Sequence, residues 1–406
     1  MHRALSFLLL VSISGLVAAQ QNRIDIIGED APELAQFGDY GVGVRTIEVV
    51  AQNRIDIINT PRGGETAHYD RKLTLEIWYP ADLQGAEPGT QYQAITRNPD
   101  ITATLSGRAV RDAEPLRAAG PYPLIIISHG YPGNRFLMSH TGENLASKGY
   151  VVASIDHPES TYDDQQAFTS TLYNRPLDQR HVLSTMAYIS SQEGRVFSNM
   201  IDADNTGIVG YSMGGYGLVN NLGGGYNEES VGAVMAPPNR LLEEHATSNP
   251  DYRSSLDARI KAGFAVAPWG MNANLWQADD LAGINVPTFY LAGDQDGVAG
   301  YENGSRATFE AAVNSDRYLL TFHGAGHNAG APIPLPIELD NEENEGAAGH
   351  YLDENWDNVV MNNIMDHYVT AWFDFHLKGI DRSEYLRTIP SIYRSRLNLE
   401  HLAAGQ

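Results

Sequence analysis

A serine between glycines offers the clearest chemistry in this sequence. Residues 210–214 read GYSMG, which has the spacing G-x-S-x-G. The segment directly follows an apolar strand pattern and directly precedes a helical one, and such a strand–turn–helix holds its serine strained, with the hydroxyl exposed. Glycines are needed because side chains would clash in so tight a turn. The pattern predicts that Ser212 is a nucleophile; the alternative is a glycine-rich turn that happens to contain serine.

A serine hydroxyl is a poor nucleophile and needs a base. The chain has 13 histidines, and His327 lies in the segment FHGAGHNAG, just past the last predicted core strand and downstream of Ser212. His323 is its competitor, but it falls inside the strand pattern and reads as a partly buried strand residue. His350, His367 and His376 lie in a loop and in the final helical pattern. We therefore predict His327 as the general base.

Two aspartates compete for the acid that would orient this imidazole. Asp294 and Asp296 follow the apolar run 287–292 in the segment GDQDG. Both lie between Ser212 and His327 in the chain, on a loop that follows a strand. An Asp-rich turn after a strand is also ordinary loop chemistry. The two residues by themselves leave the choice open.

A substrate oxygen that becomes negatively charged needs two hydrogen-bond donors. One is expected to be the backbone N–H of Met213, directly after the nucleophile. The second is expected from SHGYPGNR, residues 128–135, whose glycines allow the backbone to approach a substrate closely. We predict the N–H of Tyr131, with its ring as one wall of the substrate site. The alternative is a plain Gly/Pro turn.

These residues belong to a chain in which strand and helix patterns alternate. Extended segments between residues 42 and 80 come first, and the strand patterns that follow are 122–130, 150–158, 206–211, 262–270, 286–293 and 317–324. Helical patterns separate them at 134–149, 177–191, 305–315 and 361–379. The alternation predicts an α/β fold, with a mostly parallel central sheet, helices on both faces and antiparallel N-terminal strands.

Two segments interrupt the alternation, at residues 223–259 and 329–357. The first is rich in Gly, Asn and Glu, and the second is acidic. Both fall where loops at the carboxyl ends of strands would lie, and such loops hold or cover sites in open α/β sheets. The alternative is that both are solvated surface insertions.

Six segments together resemble the α/β-hydrolase superfamily: IIISHGYPGNR, LASKGYVVASIDHPEST, IVGYSMGG, AVAPWG, LAGDQDGVAG and GAGHN. Over residues 120–380 the chain is similar to a group of esterases within it. That group joins dienelactone-hydrolase-like esterases, platelet-activating-factor acetylhydrolase-like enzymes and bacterial polyester-hydrolysing cutinases. The resemblance implies an α/β-hydrolase fold and the chain order nucleophile, acid, histidine.

The resemblance also assigns two residues. The family acid follows a strand-ending glycine as G-x-x-D, which corresponds to Asp296, so Asp294 is expected to brace the turn. Cutinase-like members end the strand after the nucleophile in a Pro-Trp pair whose Trp lines the acyl cleft. Here the pair is Pro268-Trp269, which makes Trp269 a candidate substrate contact. The alternative is a core aromatic at a strand end.

Composition narrows the class of protein further. The chain has 406 residues, 27 Lys and Arg against 50 Asp and Glu, and a formal charge of −23. That charge argues against nucleic acid or an anionic membrane as a partner. Without cysteine, the chain has neither disulfides nor a Cys nucleophile.

The organisation along the chain is predicted in four parts. Residues 1–19 have a basic start, an apolar run and a small-residue cleavage site after Ala19, which indicates a signal peptide and a secreted or periplasmic protein. An N-terminal extension covers 20–41, a single α/β-hydrolase domain 42–395, and a C-terminal tail 396–406.

These expectations combine into one function. We expect a secreted serine carboxylic-ester hydrolase that forms an acyl-enzyme, needs no cofactor and no metal, and acts on a small-molecule or polymeric ester. The alternatives are a polyester hydrolase, a phospholipid esterase similar to platelet-activating factor acetylhydrolase, and an inactive binding protein of the same fold.

Overall fold

A large sheet with a parallel centre organises the molecule. The computed structural model describes residues 22–406, so the predicted signal peptide lies outside the described residues. The strands, in chain order, are β1 (Asn22–Arg23), β2 (Gly41–Ile55), β3 (His68–Asp82), β4 (Gln91–Ile95), β5 (Thr102–Ser106), β6 (Val110–Arg111), β7 (Glu114–Pro115), β8 (Tyr122–Ser128), β9 (Val151–Asp156), β10 (Ile201–Tyr211), β11 (Ile260–Val266), β12 (Thr288–Gly293), β13 (Arg317–Phe322) and β14 (Leu397–Leu402).

Eleven strands form the main sheet, in the order β14-β13-β12-β11-β10-β8-β9-β3-β2-β6, with β7 paired to β3. The six strands from β13 to β9 are parallel to one another. At one side, β3 pairs antiparallel with both β9 and β2. At the other side, β14 pairs antiparallel with β13. A small second sheet has the order β1-β5-β4. The predicted α/β class, with its mostly parallel sheet and antiparallel N-terminal strands, is confirmed.

Helices cover both faces of the sheet. In chain order they are α1 (Ser139–Ser147), α2 (Phe168–Ser191), α3 (Met213–Leu222), α4 (Glu228–Gly232), α5 (Pro250–Ser254), α6 (Ala278–Leu281), α7 (Ala307–Ala311), α8 (Glu345–Ala348) and α9 (Asn358–Leu377). Ile125 and Ile127 of β8 pack toward α1 and α9, whereas Leu124 and Ile126 pack toward α2 and α3. A strand alternates its side chains between faces, so the centre of β8, residues 124–127, is continuously apolar because both faces are covered.

The order of the central strands sets where a site can form. From β8 the chain proceeds to β9 on one side and then returns to β10 on the other. The connections after β8 and β10 therefore diverge at the same edge of the sheet, where open α/β sheets bind ligands. This brings the loop that follows Ser128 next to the turn that follows Tyr211.

Helix α2 starts earlier than its pattern predicts, at Phe168 instead of residue 177, and it runs through Pro176. A proline inside a helix leaves the carbonyl four residues before it without a partner. That carbonyl belongs to Leu172, and it accepts a hydrogen bond of 2.7 Å from the hydroxyl of Tyr216 on α3. A tertiary contact thus replaces the missing helical bond, which no local pattern predicts.

The two ends of the described chain are part of the packed structure. Within residues 396–406, expected as a C-terminal tail, β14 pairs antiparallel with β13 along its whole length. The described part of the predicted N-terminal extension packs on α9, where Asn363 and His367 accept from the backbone of Gly28 and Leu34.

Within residues 22–406, we find no helix whose length and hydropathy would let it cross a membrane.

Candidate active site

Ser212 occupies the sharp turn between β10 and α3. Its backbone has φ 52° and ψ −111°, a conformation that is costly for any residue with a side chain. The turn leaves no room beside it, since a Cβ on Gly214 would lie 1.9 Å from the carbonyl oxygen of Ser128. The N–H of Ser212 donates to the carbonyl of Val266 at 2.9 Å, which ties the turn to β11. The predicted strand–turn–helix geometry is present.

A hydrogen-bonded relay joins the three residues predicted to form a triad. His327 Nε2 lies 2.9 Å from Ser212 Oγ, and His327 Nδ1 lies 2.9 Å from Asp296 Oδ2. Ser212 follows β10, Asp296 follows β12 and His327 follows β13, so the three residues meet at one edge of the sheet. An imidazole held between a carboxylate and a hydroxyl can take the hydroxyl proton.

Asp296 is held in its ionised form. Its carboxylate is fully buried, and Oδ1 accepts from the N–H groups of Val298 and Ala299 at 2.8 and 2.9 Å. Burial raises the pKa of this carboxyl, but the hydrogen bond and charge of His327 and the two backbone donors outweigh it, so the net pKa lies below its usual value. The site therefore keeps a carboxylate beside the imidazole.

Asp294 has other partners. Its Oδ1 accepts from the N–H of Gly324 at 2.8 Å, which is the bracing contact expected of it, and its Oδ2 lies 2.9 Å from Nδ1 of His323. His323 is about half exposed. The two aspartates therefore each bond one of the two competing histidines, and only Asp296 belongs to the relay that reaches Ser212.

The two predicted oxyanion donors lie on either side of Ser212. The Ser212 carbonyl, which shares a peptide unit with the N–H of Met213, accepts from the N–H groups of Trp269 and Tyr216 at 3.1 and 3.0 Å. On the other side, a Cβ added to Gly130 would lie 3.3 Å from Ser212 Cβ, so the backbone before Tyr131 passes close to the serine. Within residues 22–406, neither the N–H of Met213 nor that of Tyr131 donates to a protein acceptor.

A cavity of about 700 Å³ opens above the serine. The lining includes Ser212, His327 and Tyr131 from the predicted site. Tyr162, Tyr211 and several residues of the 329–357 insertion complete the wall. Two exposed apolar side chains, Val298 and Leu352, also line it and are 56% and 46% exposed. A volume of this size lies within the range of sites that bind small molecules.

The insertion at 329–357 forms one wall of this cavity, through residues between 346 and 355. Asn328, next to His327, anchors the wall: its side-chain amide donates to the carbonyls of Gly349 and Leu352 at 2.9 and 2.6 Å. Its carbonyl oxygen accepts from the hydroxyl of Tyr211 at 3.1 Å. By contrast, the insertion at 223–259 contributes no residue to the lining.

Trp269 lies beside the site rather than in the cavity lining. Its ring packs perpendicular to Phe168 at 5.4 Å between centroids, and Phe168 packs in turn against Tyr131 at 5.2 Å. The contact that Trp269 makes with the site is its backbone bond to the carbonyl of Ser212. Its role as a substrate contact stays a prediction.

Among the cavity residues to which the sequence assigned no role are Asn328 and His350. His350 Nε2 accepts from Arg97 Nε at 2.7 Å, and burial together with the charge of Arg97 lowers the pKa of His350 to about 4. It is therefore neutral near pH 7, and its Nε2 is occupied by the hydrogen bond from Arg97. The only available signal was its position in the 329–357 insertion.

A buried network beneath the site also has no sequence signal. His157 is buried between Ser128 Oγ at 2.9 Å and Asp178 Oδ2 at 3.0 Å. This second Ser-His-Asp set has no access to solvent. No cluster of three or more His, Asp or Glu side chains suited to a metal ion occurs in the described chain.

The fold and the comparisons with known proteins define a class: the chain has an α/β-hydrolase fold and is similar to esterases with that fold. Residues 73–195 match the family model described as platelet-activating factor acetylhydrolase, isoform II. A ferulic acid esterase from Streptomyces cinnamoneus has a similar structure, with a TM-score of 0.63 over 94% of this chain and 100% of that one, at 21% identity.

Two relatives found by sequence have names that state the ester they hydrolyse or the kind of esterase they are. The chain is 26% identical to cutinase est2 of Thermobifida alba over 215 residues, which are 52% of this chain and 55% of that protein. It is 24% identical to the bis(hydroxyethyl) terephthalate hydrolase of Streptomyces coelicolor over 213 residues, 51% of each chain. The chain thus spans about half the length of the curated relatives it matches. The predicted resemblance to this group of α/β-hydrolase esterases is confirmed.

Proposed function

We propose that this protein is a serine carboxylic-ester hydrolase with Ser212 as nucleophile, His327 as base and Asp296 as the acid. The observation that carries the proposal is the unbroken relay from Asp296 through His327 to Ser212 beneath an open cavity. Relatives named as a cutinase, a terephthalate ester hydrolase and a ferulic acid esterase support the reaction class.

The first half of the reaction transfers the acyl group to the enzyme. Ser212 Oγ attacks the ester carbonyl while His327 Nε2 takes its proton, and the charge on the imidazolium is balanced by Asp296. The carbonyl oxygen becomes negative and accepts from the N–H groups of Tyr131 and Met213. Met213 is the first residue of α3, so the positive end of the helix dipole also faces this oxygen.

The second half regenerates the serine. His327 gives its proton to the departing alcohol, which leaves an acyl group on Ser212 Oγ. Water then attacks the acyl carbonyl, with His327 taking the water proton and returning it to Oγ as the carboxylic acid leaves. The proposed cycle consumes one ester and one water and involves no cofactor and no metal. We further propose export, which rests on the predicted signal peptide of residues 1–19.

Replacing the nucleophile tests the reaction class. The Ser212→Ala variant should lose hydrolysis of a short p-nitrophenyl ester, and it should also lose covalent labelling by a fluorophosphonate probe. The wild-type protein should do both. A wild-type protein that neither reacts with the probe nor hydrolyses any ester would instead support a binding protein of this fold. Full activity of Ser212→Ala would overturn the proposed nucleophile.

A polyester is the second candidate substrate, and the cavity mouth favours it. Val298 and Leu352 expose apolar surface at the cavity, and two relatives are named as a cutinase and as a terephthalate ester hydrolase. Release of soluble products from a polyester film by the purified protein, without hydrolysis of phospholipid vesicles, would support this candidate. The reverse pattern would favour the phospholipid esterase that the matched family model suggests.

A further inference from the structure

Helix α2 buries a cation that the proposed reaction does not use. Arg175 is 1% exposed, and among residues 22–406 no carboxylate lies within ion-pair distance of its guanidinium. The nearest acid in sequence, Asp178, is held by Arg71 and His157. A buried charge without a counter-ion is costly, so its hydrogen-bond partners must compensate for the lost hydration.

Those partners belong mainly to the loop that carries the proposed oxyanion donor. Arg175 Nη1 donates to the carbonyl of His129, and Nη2 lies 3.5 Å from the carbonyl of Gly130 and also donates to Ser160 Oγ. The Nε–H of Arg175 is buried without a partner in the described chain. The guanidinium therefore leaves one donor unsatisfied while its two terminal groups reach these acceptors.

A second donor holds the same carbonyl. His129 Nδ1 lies 2.7 Å from the Gly130 oxygen, and His129 Nε2 accepts from the N–H of His157 at 3.2 Å. The second contact requires Nε2 to be unprotonated, so the proton is on Nδ1 and points at the carbonyl. The Gly130 oxygen is thus approached by donors on both Arg175 and His129.

The geometry of the peptide unit connects this carbonyl to catalysis. The carbonyl of Gly130 and the N–H of Tyr131 share one planar peptide bond, and in the trans form the two groups point in opposite directions. Donors that hold the oxygen toward α2 therefore turn the N–H away from α2, toward the side on which Tyr131 lines the cavity. A cation at the oxygen also polarises the unit and makes its N–H a stronger donor.

We propose that Arg175 is a positioning residue for the reaction, because it holds the Gly130–Tyr131 peptide with its N–H directed at the substrate oxygen. This inference rests on the proposed function. It concerns a residue that never touches the substrate, acting through the backbone of the oxyanion loop. Gln179, one helical turn further along α2, makes a similar contact on the other side of the site, where Nε2 donates to the carbonyl of Gly214 at 2.9 Å.

A purely structural role for Arg175 makes a different prediction. If the side chain only fastens α2 to the core, its loss should lower stability and leave the turnover of each folded molecule unchanged. If it orients an oxyanion donor, its loss should weaken binding of the transition state more than binding of the substrate. The difference is visible in kcat against KM and in the affinity for a compound that forms an oxyanion.

The test compares Arg175→Met and Arg175→Lys with Arg180→Met. Arg180 is on the same helix and donates to His245 Nε2 at 2.9 Å, away from the oxyanion loop. For each variant we would measure kcat and KM on a short p-nitrophenyl ester, the inhibition constant of a trifluoromethyl ketone, which forms a tetrahedral oxyanion adduct with serine, and the unfolding midpoint. Active sites would be counted by fluorophosphonate titration, so that kcat refers to folded protein.

We expect Arg175→Met to lower kcat by about 10- to 100-fold, less than or comparable to the loss of a whole oxyanion donor. KM should change by less than about threefold, and the ketone should bind more weakly by the same factor as kcat falls. Arg175→Lys keeps the positive charge but lacks the planar guanidinium with its several N–H donors. Its kcat should therefore lie between that of Arg175→Met and that of the wild type. Arg180→Met should keep the kcat of the wild type.

The inference is overturned if the titrated Arg175 variants keep kcat and ketone affinity within about twofold of wild type, or if Arg180→Met reduces both to the same extent. If Arg175→Met does not fold, Arg175→Lys decides by the same criteria, because it keeps the charge and most of the side-chain volume. Failure of the proposed function is seen separately, as a wild-type protein without ester hydrolysis or serine labelling.

Discussion

Asp296 Oδ2 lies 2.9 Å from Nδ1 of His327, and this bond distinguishes two aspartates that stand two residues apart. Asp294 makes the equivalent bond to His323, which is about half exposed and does not reach Ser212. The same turn thus holds two Asp–His pairs with different surroundings. Only the Asp296 pair, whose carboxylate is fully buried, continues to a serine hydroxyl.

The two aspartates should respond differently to the same substitution. Asp296→Asn removes the carboxylate that balances the imidazolium, and we expect kcat to fall by about 10³- to 10⁴-fold. Asp294→Asn should keep kcat within about threefold and lower the unfolding midpoint, since it weakens contacts to His323 and Gly324. Both variants would be compared by ester hydrolysis and thermal unfolding. The opposite ranking of kcat would show that the acid is Asp294.

The turn at Ser212 should tolerate no added methyl group at Gly214. A Cβ there would lie 1.9 Å from the Ser128 carbonyl oxygen. Gly214→Ala must therefore displace either the turn between β10 and α3 or the end of β8. We expect loss of fluorophosphonate labelling and destabilisation by at least about 2 kcal/mol. The control is Gly346→Ala at the cavity wall, where a Cβ meets nothing within 4 Å. Equal behaviour of the two variants would contradict the steric explanation.

The wall formed by the 329–357 insertion should depend on Asn328. Asn328→Ala removes two hydrogen bonds to the wall and one from Tyr211, while the relay of His327 keeps its own partners. We expect KM for a bulky ester to rise by about tenfold, equivalent to roughly 1.4 kcal/mol of binding, with a smaller effect on a short acetyl ester. Asn341→Ala, an exposed change in the same insertion, serves as the control. A uniform fall in kcat for both esters would place Asn328 in the relay instead.

Acid should destabilise the protein through a buried histidine, His245. Burial, together with the charge of Arg180, lowers the pKa of His245 to about 3. Below its ordinary value of about 6.5 the unfolded chain binds a proton that the folded chain excludes, so stability falls as the pH falls from about 6.5 toward 3. This single group contributes a slope of about 1.4 kcal/mol per pH unit.

The variant His245→Gln isolates that contribution. It keeps an acceptor near Arg180 but binds no proton, so the free energy of unfolding should fall less steeply between pH 6 and pH 4 than in the wild type, by about 1.4 kcal/mol per pH unit. Denaturant unfolding at several pH values measures both slopes. Identical slopes would mean that His245 is protonated in the folded protein.

Much of the fold follows from local patterns. Unbroken apolar runs such as residues 124–127 correspond to central strands, because a parallel strand is covered on both faces. The start of α2 does not follow from such a pattern, because Pro176 frees the carbonyl of Leu172, and the Tyr216 hydroxyl that binds it is supplied from α3. The pairing of the C-terminal strand β14 with β13 is also a long-range contact, because the two strands lie about 80 residues apart in the chain.

By itself, the sequence determined the parts of the site that depend on spacing. Gly210, Ser212 and Gly214 specify a tight turn because only their sizes and order fit between a strand and a helix. The tertiary structure decided what depends on contacts between distant residues. His327 contacts Ser212, which lies 115 positions earlier in the chain. Asp296, and not Asp294, bonds His327. Arg175 lies against the loop that follows β8, where it donates to the carbonyl of His129. Such contacts arise from the order and stagger of packed strands, which local spacing does not encode.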